Sequence, residues 1–243
     1  MTIENAMVLA AGLGTRLRPI TERMPKPLVQ VGGRPMMDYV LDALAEAGIK
    51  RVCVNVHHHA DQMEDYLSRR HDLDFVISDE RAMLMNSGGG LAKGLKLLPS
   101  GPVLVMNADL FWVGEPVGEA SNLTRLMEFF DPSRMDMAML CAAMDCVIGH
   151  DGKKDFHLAE NGRLTRYRDD DTNPVVYAGA FAMQSDFLSD APDGAFNLNI
   201  YFDRAIAKAR LYGIPLHGDW ITVGSPQGLA EAEAFLATRA CPA

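Results

Sequence analysis

The 243-residue sequence has no apolar run as long as a membrane span, and it has fewer basic than acidic residues. A helix that crosses a bilayer needs about 20 consecutive apolar residues, so we expect no association with a membrane. Lysine and arginine number 23 against 32 aspartates and glutamates, and the formal net charge is −9. Sequence-independent binding of nucleic acid depends on basic side chains that neutralise phosphates. The composition therefore argues against nucleic acid as a partner.

Cysteine is scarce, and none of its four positions forms a C-x-x-C pair. We interpret all four as reduced thiols of a cytoplasmic protein, with Cys53 and Cys141 in the core. The first residues contain neither a basic segment nor a long apolar stretch, so we expect no signal peptide. No internal repeat is present, and the length suits one large α/β domain.

Residues 9–28, LAAGLGTRLRPITERMPKPL, combine small residues with a cluster of cations. The apolar run over 6–9 predicts a buried strand just before them. Gly12 and Gly14 let the backbone approach a ligand closely, and Lys26 lies between two prolines that fix the local chain. A strand, a glycine turn whose N–H groups can face an anion, and fixed cations together suit a nucleoside triphosphate.

Two other glycine-loop sites fit this stretch less well. The dinucleotide fingerprint G-x-G-x-x-G lacks its third glycine, because Leu17 stands at that position. The P-loop string G-x-x-x-x-G-K-[ST] does not occur in the chain. A G-x-G pair alone favours a plain strand-to-loop turn with solvated basic residues, but the full twenty-residue stretch is far more specific.

Hydrophobic periodicity and turn signals predict a β-α-β-α-β order in the first half, which favours a parallel sheet with helices on both faces. Strands are predicted over 6–9, 51–56, 75–77, 102–106, 135–142, 175–183 and 220–224. Helices are predicted over 36–47, 61–70, 123–130, 199–210 and 226–238. A hairpin turn is predicted at Asn161-Gly162.

Two polar stretches follow predicted strands. The run Asn86-Ser87-Gly88-Gly89-Gly90 is predicted as a loop before a helix, either flexible or in close approach to a ligand. Asn107-Ala108-Asp109 lies at the carboxyl end of a buried strand, where open α/β sheets bind ligands. An isolated Asp is more often a turn or cap residue. At this position Asp109 is better interpreted as a ligand of Mg²⁺, which takes oxygen donors and bridges phosphates.

Three histidines, His57, His58 and His59, follow the second predicted strand. Neighbouring side chains along an extended segment point in different directions, so they rarely share one ion. We therefore favour a structural or solvated role for the triplet over a metal site.

Residues 9–28 resemble the signature of the sugar-1-phosphate nucleotidylyltransferases, L-A-A-G-x-G-T-R-L-x-P-x-T followed by P-K-P-L, at every fixed position. The likeness covers nearly the whole chain. It implies a Rossmann-like three-layer α/β/α fold with a mostly parallel mixed sheet. It also implies a single domain, with a nucleotide-binding half over about 1–110 and a sugar-phosphate-binding half over about 111–243.

The resemblance also implies a role for particular residues of this chain. The residues implied in catalysis are Arg16, Lys26 and Asp109. Those implied in nucleotide binding are Leu9, Ala10, Ala11, Gly12, Gly14, Thr15, Arg16, Lys26, Asn86, Gly88 and Gly89. Those implied in sugar-phosphate binding are Asn107, Asp155 and Gly179. The implied metal ligands are Asp109 and Thr222, and the second of these departs from the family, whose last strand commonly has Asp at that position.

The implied reaction joins a nucleoside triphosphate to a sugar-1-phosphate, with Mg²⁺ as cofactor and pyrophosphate as the leaving product. The short N-acetylmuramate-1-phosphate uridylyltransferases are the most similar branch, which suggests UTP and N-acetylmuramate-1-phosphate. Mannose-1-phosphate guanylyltransferases share most of the pattern and remain an alternative. Because Thr222 is neutral, a catalytically weakened protein that senses nucleotide or sugar phosphate is the second alternative. A monomer or a small homo-oligomer is expected.

Overall fold

The computed structural model describes residues 2–240. In chain order the strands are β1 (Asn5–Leu9), β2 (Gln30–Val31), β3 (Arg34–Pro35), β4 (Arg51–Val56), β5 (Asp74–Asp79), β6 (Pro102–Asn107), β7 (Leu110–Val113), β8 (Met137–Ala143), β9 (Val147–Ile148), β10 (Phe156–Leu158), β11 (Leu164–Arg166), β12 (Pro174–Gln184), β13 (Leu211–Pro215) and β14 (Asp219–Thr222). The α-helices are α1 (Met36–Glu46), α2 (Ala60–Leu67), α3 (Asn86–Leu95), α4 (Asn122–Phe129), α5 (Asn199–Ala207) and α6 (Pro226–Ala240).

The central sheet is mixed. Its strands follow the order β11-β10-β12-β6-β1-β4-β5, with β8 beside β12 and β13 beside β8. Strands β6, β1, β4 and β5 are parallel, whereas β12 is antiparallel to both β6 and β8. Strands β7, β14 and β9 form a smaller sheet. The parallel part is the predicted β-α-β-α-β unit, and its order is confirmed.

Apolar side chains cover both faces of the central sheet. In β1, Ala6 and Val8 belong to the core cluster that contains Leu41 of α1, while Met7 belongs to the cluster that contains Leu91 of α3. Successive residues of a strand point to opposite faces, so a continuous apolar run is needed where helices cover both sides. The predicted three-layer α/β/α fold is confirmed.

The sequence-based prediction of secondary structure differs from the structure at several places, and it did not include the short strands β2, β3 and β9. Helix α3 begins at Asn86, so the loop predicted over 86–90 is instead its first turns. Strands β7 and β13 were not predicted either. In the structure β7 pairs with β14, and β13 pairs with β8. Both are short segments whose strand conformation depends on a distant partner, which periodicity within the segment does not reveal. The hairpin of β10 and β11 around Asn161-Gly162 is confirmed.

Cys53 and Cys141 are buried, as predicted, and Cys146 is half-buried. Cys241 lies outside the described residues. Burial in apolar surroundings raises the pKa of the Cys53 thiol to about 12, because it disfavours the thiolate. Within residues 2–240, no helix is long and apolar enough to cross a bilayer.

Candidate active site

The largest group of predicted site residues meets where β1 and β6 end. These parallel neighbours pair Leu9 with Asn107 in register, and the Ala108 N–H donates to the Leu9 carbonyl at 3.1 Å. The two segments that follow these strands are therefore placed side by side. A cavity of about 540 Å³, called here the central cavity, opens at this edge. Its lining residues are Leu9, Ala10, Ala11, Gly12, Lys26, Pro27, Asn55, Glu80, Leu84, Asn86, Ser87, Asn107, Ala108, Asp109 and Ala195.

Lys26 and Asp109 form an ion pair in the central cavity. The Lys26 ammonium donates to Asp109 Oδ2 at 2.6 Å, across 83 residues of sequence. The Lys26 side chain is only 9% exposed, whereas that of Asp109 is 39% exposed. Lys26, between Pro25 and Pro27, begins a short 3₁₀ turn, so its stem is fixed while its charge faces the cavity. The pairing was not predicted, although both residues were predicted to act in catalysis.

A buried polar network forms another wall of the central cavity. Asn55 Oδ1 accepts from the Ala10 N–H at 2.6 Å, and Asn55 Nδ2 donates to Glu80 Oε1 at 2.7 Å. Glu80 Oε2 accepts from the Met85 N–H at 2.9 Å. Asn55 and Glu80 are 3% and 1% exposed, so both depend on these bonds to offset their desolvation. The network fixes the segment after β1 against the start of α3.

Asn55 and Glu80 were not predicted as cavity residues. A signal was present for Asn55, because it interrupts the apolar run of β4 near the strand's carboxyl end. Polar residues at that end of a parallel strand line the ligand-binding edge of the sheet. For Glu80, the corresponding signal is weaker, since it follows β5 among other charged residues.

The glycine run of α3 packs closely against neighbouring protein atoms. The N–H groups of Gly88 and Gly89 donate to the Phe196 carbonyl at 2.9 and 3.3 Å. A β-carbon at Gly88 would collide with the Phe196 ring, and one at Gly90 would lie 2.6 Å from Asn55 Nδ2. These glycines let α3 approach its neighbours closely. Gly88 and Gly89 do not line the central cavity, whereas Asn86 does.

At position 14 the backbone conformation and the local packing both favour glycine. Its φ is +61°, and a β-carbon there would lie 2.8 Å from Thr21 Cγ2 and 3.1 Å from Lys26 Cβ. The Thr21 hydroxyl also donates to the Gly14 carbonyl at 2.8 Å. Gly14 therefore positions the stem of Lys26. Neither Gly14 nor the exposed Thr15 lines the central cavity.

A second cavity, of about 230 Å³, adjoins the central cavity and shares Leu9, Ser87 and Asn107 with it. The remaining residues of this second cavity are Asp155, Phe156, Arg166, Tyr177, Asn197, Leu198, Asn199 and Phe202. Asp155 Oδ2 accepts from the Tyr177 N–H at 3.0 Å. Gly179 does not line this cavity. It lies in the register shift of β12 with φ +79°, directly against Leu110.

A third cavity, of about 310 Å³, contains two of the predicted residues. Exposed Arg16 lies against Gly224, where a β-carbon would approach its guanidinium to 3.1 Å. Thr222 lines this third cavity as well, together with Lys153. The backbones of Asp109 and Thr222 lie close together, because the Asp109 carbonyl accepts from the N–H of Val223, the next residue, at 3.2 Å. Even so, Asp109 lines the central cavity and Thr222 lines the third.

Two residues of the histidine triplet contact backbone carbonyls that are distant in the sequence. A ring nitrogen of His57 lies 2.8 Å from the Glu80 carbonyl, and one of His58 lies 2.8 Å from the Thr21 carbonyl. His59 has a positive φ of 52° and precedes α2. Among the described residues, no group of three His, Cys, Asp or Glu side chains is arranged to hold a metal ion. The His57 and His58 rings thus connect the segment after β4 to the backbone of Glu80 and of Thr21.

Comparison with known proteins decides the family. A family model described as "Nucleotidyl transferase" matches residues 5–145, more than half of the chain. The chain belongs to the nucleotidyl transferase family. The resemblance drawn from residues 9–28 is thus confirmed, as is the expected type of enzyme, a sugar-1-phosphate nucleotidylyltransferase.

Individual relatives agree with this family. The chain is 40% identical over 237 residues to an N-acetylmuramate alpha-1-phosphate uridylyltransferase of Caulobacter vibrioides, covering 96% of each chain. A putative glucose-1-phosphate thymidylyltransferase from Bacillus anthracis superposes with a TM-score of 0.78 at 16% identity, covering 95% of this chain and 94% of that one. A UDP-glucose pyrophosphorylase from Acinetobacter baumanii gives a TM-score of 0.79 at 16% identity over 98% and 94%. At such low identity, the two solved structures establish the fold alone.

Proposed function

We propose that this nucleotidyl transferase transfers a uridylyl group from UTP to N-acetylmuramate-1-phosphate and releases pyrophosphate. The observation that carries the proposal is the Lys26–Asp109 pair, which lies in a cavity that continues directly into a second one. Two joined cavities of this kind suit two substrates that must react at their boundary. The choice of substrates is supported by the similarity to the Caulobacter enzyme over nearly its full length.

We place the nucleotide in the central cavity. Leu9, Ala10, Ala11 and Gly12 supply backbone there, and no atom outside the neighbouring residues lies within 4 Å of a β-carbon built on Gly12. A phosphate can therefore approach the backbone closely at that point. Arg16 would reach the outer phosphates from the third cavity. Gly14, Gly88 and Gly89 contribute by positioning Lys26 and α3, while a nucleotide contact by Thr15 remains a prediction.

We place the sugar phosphate in the second cavity. Asn107 lines both cavities and so marks the boundary at which the two substrates would meet. Asp155 offers one carboxylate oxygen beyond its bond to the Tyr177 N–H, which suits a sugar hydroxyl. Most residues of the second cavity come from the later part of the chain, which supports the proposed halves over about 1–110 and 111–243.

The chain's own part in the reaction is positioning and charge stabilisation. A sugar phosphate is already ionised, so its oxygen can attack the α-phosphorus without a protein nucleophile or base. Bringing the two phosphates into line replaces a bimolecular encounter with an oriented one. Charge accumulates as pyrophosphate leaves, and a preorganised cation such as Lys26 stabilises it. For this purpose the Lys26 ammonium must exchange its Asp109 partner for phosphate oxygen.

The donor set also fits Mg²⁺, which the family resemblance implies. Asp109 provides a partly exposed carboxylate, and Mg²⁺ commonly uses one or two carboxylates together with substrate phosphates. Asp109 would hold the ion, which would neutralise phosphate charge when bound. Thr222 lines the third cavity, and its role as a second ligand remains a prediction.

A substrate panel tests the proposal. Pyrophosphate release is measured with UTP, GTP, CTP and dTTP, each combined with the 1-phosphates of N-acetylmuramate, N-acetylglucosamine and mannose. The proposal expects the highest kcat/KM for UTP with N-acetylmuramate-1-phosphate. A preference for GTP with mannose-1-phosphate would establish the guanylyltransferase alternative. Nucleotide binding without product from any pair would indicate a protein that senses these compounds.

A further inference from the structure

We propose that Arg166 is a specificity-determining residue that binds the carboxylate of the lactyl ether on the muramyl sugar. The inference rests on the proposed function, because it concerns which sugar the second cavity accepts. N-acetylmuramate differs from N-acetylglucosamine by this lactyl group on O3, so a carboxylate is the chemical feature that distinguishes the two sugars. A site that selects the muramyl sugar needs a cation at its sugar end.

Arg166 is held in place at the wall of the second cavity. Its Nε donates to Asp203 Oδ1 at 2.7 Å, and its Nη2 donates to Asn199 Oδ1 at 2.8 Å. The guanidinium carbon lies 4.8 Å from the centre of the Phe156 ring. Both hydrogen-bond partners belong to α5, while Arg166 ends β11. Three contacts therefore fix the plane of the guanidinium before any ligand binds.

The guanidinium retains donors for a ligand. Arginine has five N–H donors, and the described residues engage two of them, which leaves three. Its side chain is 38% exposed, so a ligand in the second cavity can reach it. Guanidinium and carboxylate form charge-assisted and often bidentate hydrogen bonds, which a neutral group of similar shape cannot replace.

A buried hydroxyl in the same cavity lacks a hydrogen-bond partner within residues 2–240. The Tyr177 hydroxyl is buried, and it has no hydrogen-bond partner among the described residues. Tyr177 lines the second cavity together with Arg166. A buried hydroxyl without a partner is costly, and a polar ligand in this cavity would supply one. Burial and the nearby carboxylates of Asp109 and Asp155 raise the pKa of Tyr177, so the hydroxyl stays protonated and can donate.

The charges around Arg166 determine where an anion can bind. Asp203 is 60% exposed on α5 and engages Nε, so it holds the guanidinium from one edge. Asp155 lines the cavity and would repel a carboxylate close to it. Its Oδ2 faces the Tyr177 N–H, where a neutral sugar hydroxyl fits better. The lactyl carboxylate is accordingly assigned to Arg166 and the uncharged part of the sugar to Asp155.

The test compares two sugar phosphates that differ only in the charge of the lactyl group. Steady-state kcat/KM is measured with N-acetylmuramate-1-phosphate and with its lactyl primary amide, for the wild type and for Arg166→Gln. We expect the wild type to prefer the acid by roughly 10- to 100-fold, as one charge-assisted interaction allows. Arg166→Gln should lower that ratio to within about 2-fold of unity, chiefly through a higher KM for the acid.

Two further variants separate recognition from a structural role. Arg168→Gln removes an equally charged but exposed side chain two residues away, and it should keep the wild-type ratio. Asp203→Asn removes the carboxylate partner of Arg166 but leaves the guanidinium, so the preference for the acid should persist. If Arg166→Gln slowed both substrates equally and kept the ratio, or if the wild type showed no preference, the inference would be overturned while the uridylyl transfer itself stood. A wild type that turned over neither sugar with UTP would refute the proposed function and the inference together.

Discussion

Replacing Lys26 by alanine is the sharpest test of the candidate site. We expect Lys26→Ala to fold, to lose most of its turnover and to bind Mg²⁺ more tightly in the absence of substrate. The first two effects follow from the position of the ammonium in the central cavity, and the third from its ion pair with Asp109. With the competing cation removed, the Asp109 carboxylate is available to the metal.

The structure allows the magnitudes to be estimated. Two unit charges 4 Å apart attract by about 4 kcal/mol at an effective dielectric constant near 20. Because Asp109 is 39% exposed, solvent screening and side-chain entropy reduce the net value to about 1 kcal/mol. Mg²⁺ should then bind the free variant about 5- to 10-fold more tightly, and Tm should fall by about 2–4 °C. Loss of one preorganised charge donor should lower kcat by ~10²–10³-fold.

The measurements are pyrophosphate release at saturating substrates, calorimetric titration with Mg²⁺ and thermal melting. Lys96→Ala is the matched control, because it removes the same charge from an exposed position at the end of α3. The control should match the wild type in all three. If the Lys26→Ala protein kept near-normal turnover and melting, Lys26 would take no part in the mechanism. Unchanged Mg²⁺ affinity would show that the ion pair does not compete with the metal.

Other changes test the metal, the cavity wall and the core. Thr222→Asp should lower the Mg²⁺ concentration for half-maximal rate, because it adds a charged oxygen ligand. Asp109→Asn should abolish most activity. If the Mg²⁺ curve of Thr222→Asp were unaltered and Asp109→Asn were active, the metal would lie elsewhere. Gly90→Ala should lower the free energy of unfolding by about 1–3 kcal/mol, because its β-carbon would lie 2.6 Å from a buried amide; equal melting to the wild type would contradict this. Gly12→Ala, which meets no such atom, should keep its Tm but raise the KM for UTP, and an unchanged KM would remove this backbone from the phosphate site. Cys53 should resist iodoacetamide at pH 8 in the native protein, because burial and a pKa of about 12 keep the thiol protonated, and rapid labelling by mass spectrometry would show that the core opens.

The sequence predicted much of the local structure and named several residues that line the candidate site. The apolar runs predicted β1 and β6, because strands covered on both faces need nearly continuous apolar residues. The twenty-residue stretch predicted Lys26 as a site residue, and the position after a buried strand predicted Asp109. Both predictions depend on short-range patterns, since a strand end and the turn after it are encoded by adjacent residues. The sheet order then brings the two residues into one cavity.

The tertiary structure decided which distant residues meet. It paired Lys26 with Asp109 across 83 residues, and it joined Asn55 to Glu80 in a buried network. It also packed the glycine run of α3 against Phe196 and Asn55. None of these contacts is visible in periodicity, because periodicity records which way a side chain points and not what lies opposite. The non-local pairing of β6 with β1 brings Asp109 toward Lys26, and the pairing of β5 with β4 brings Glu80 to Asn55.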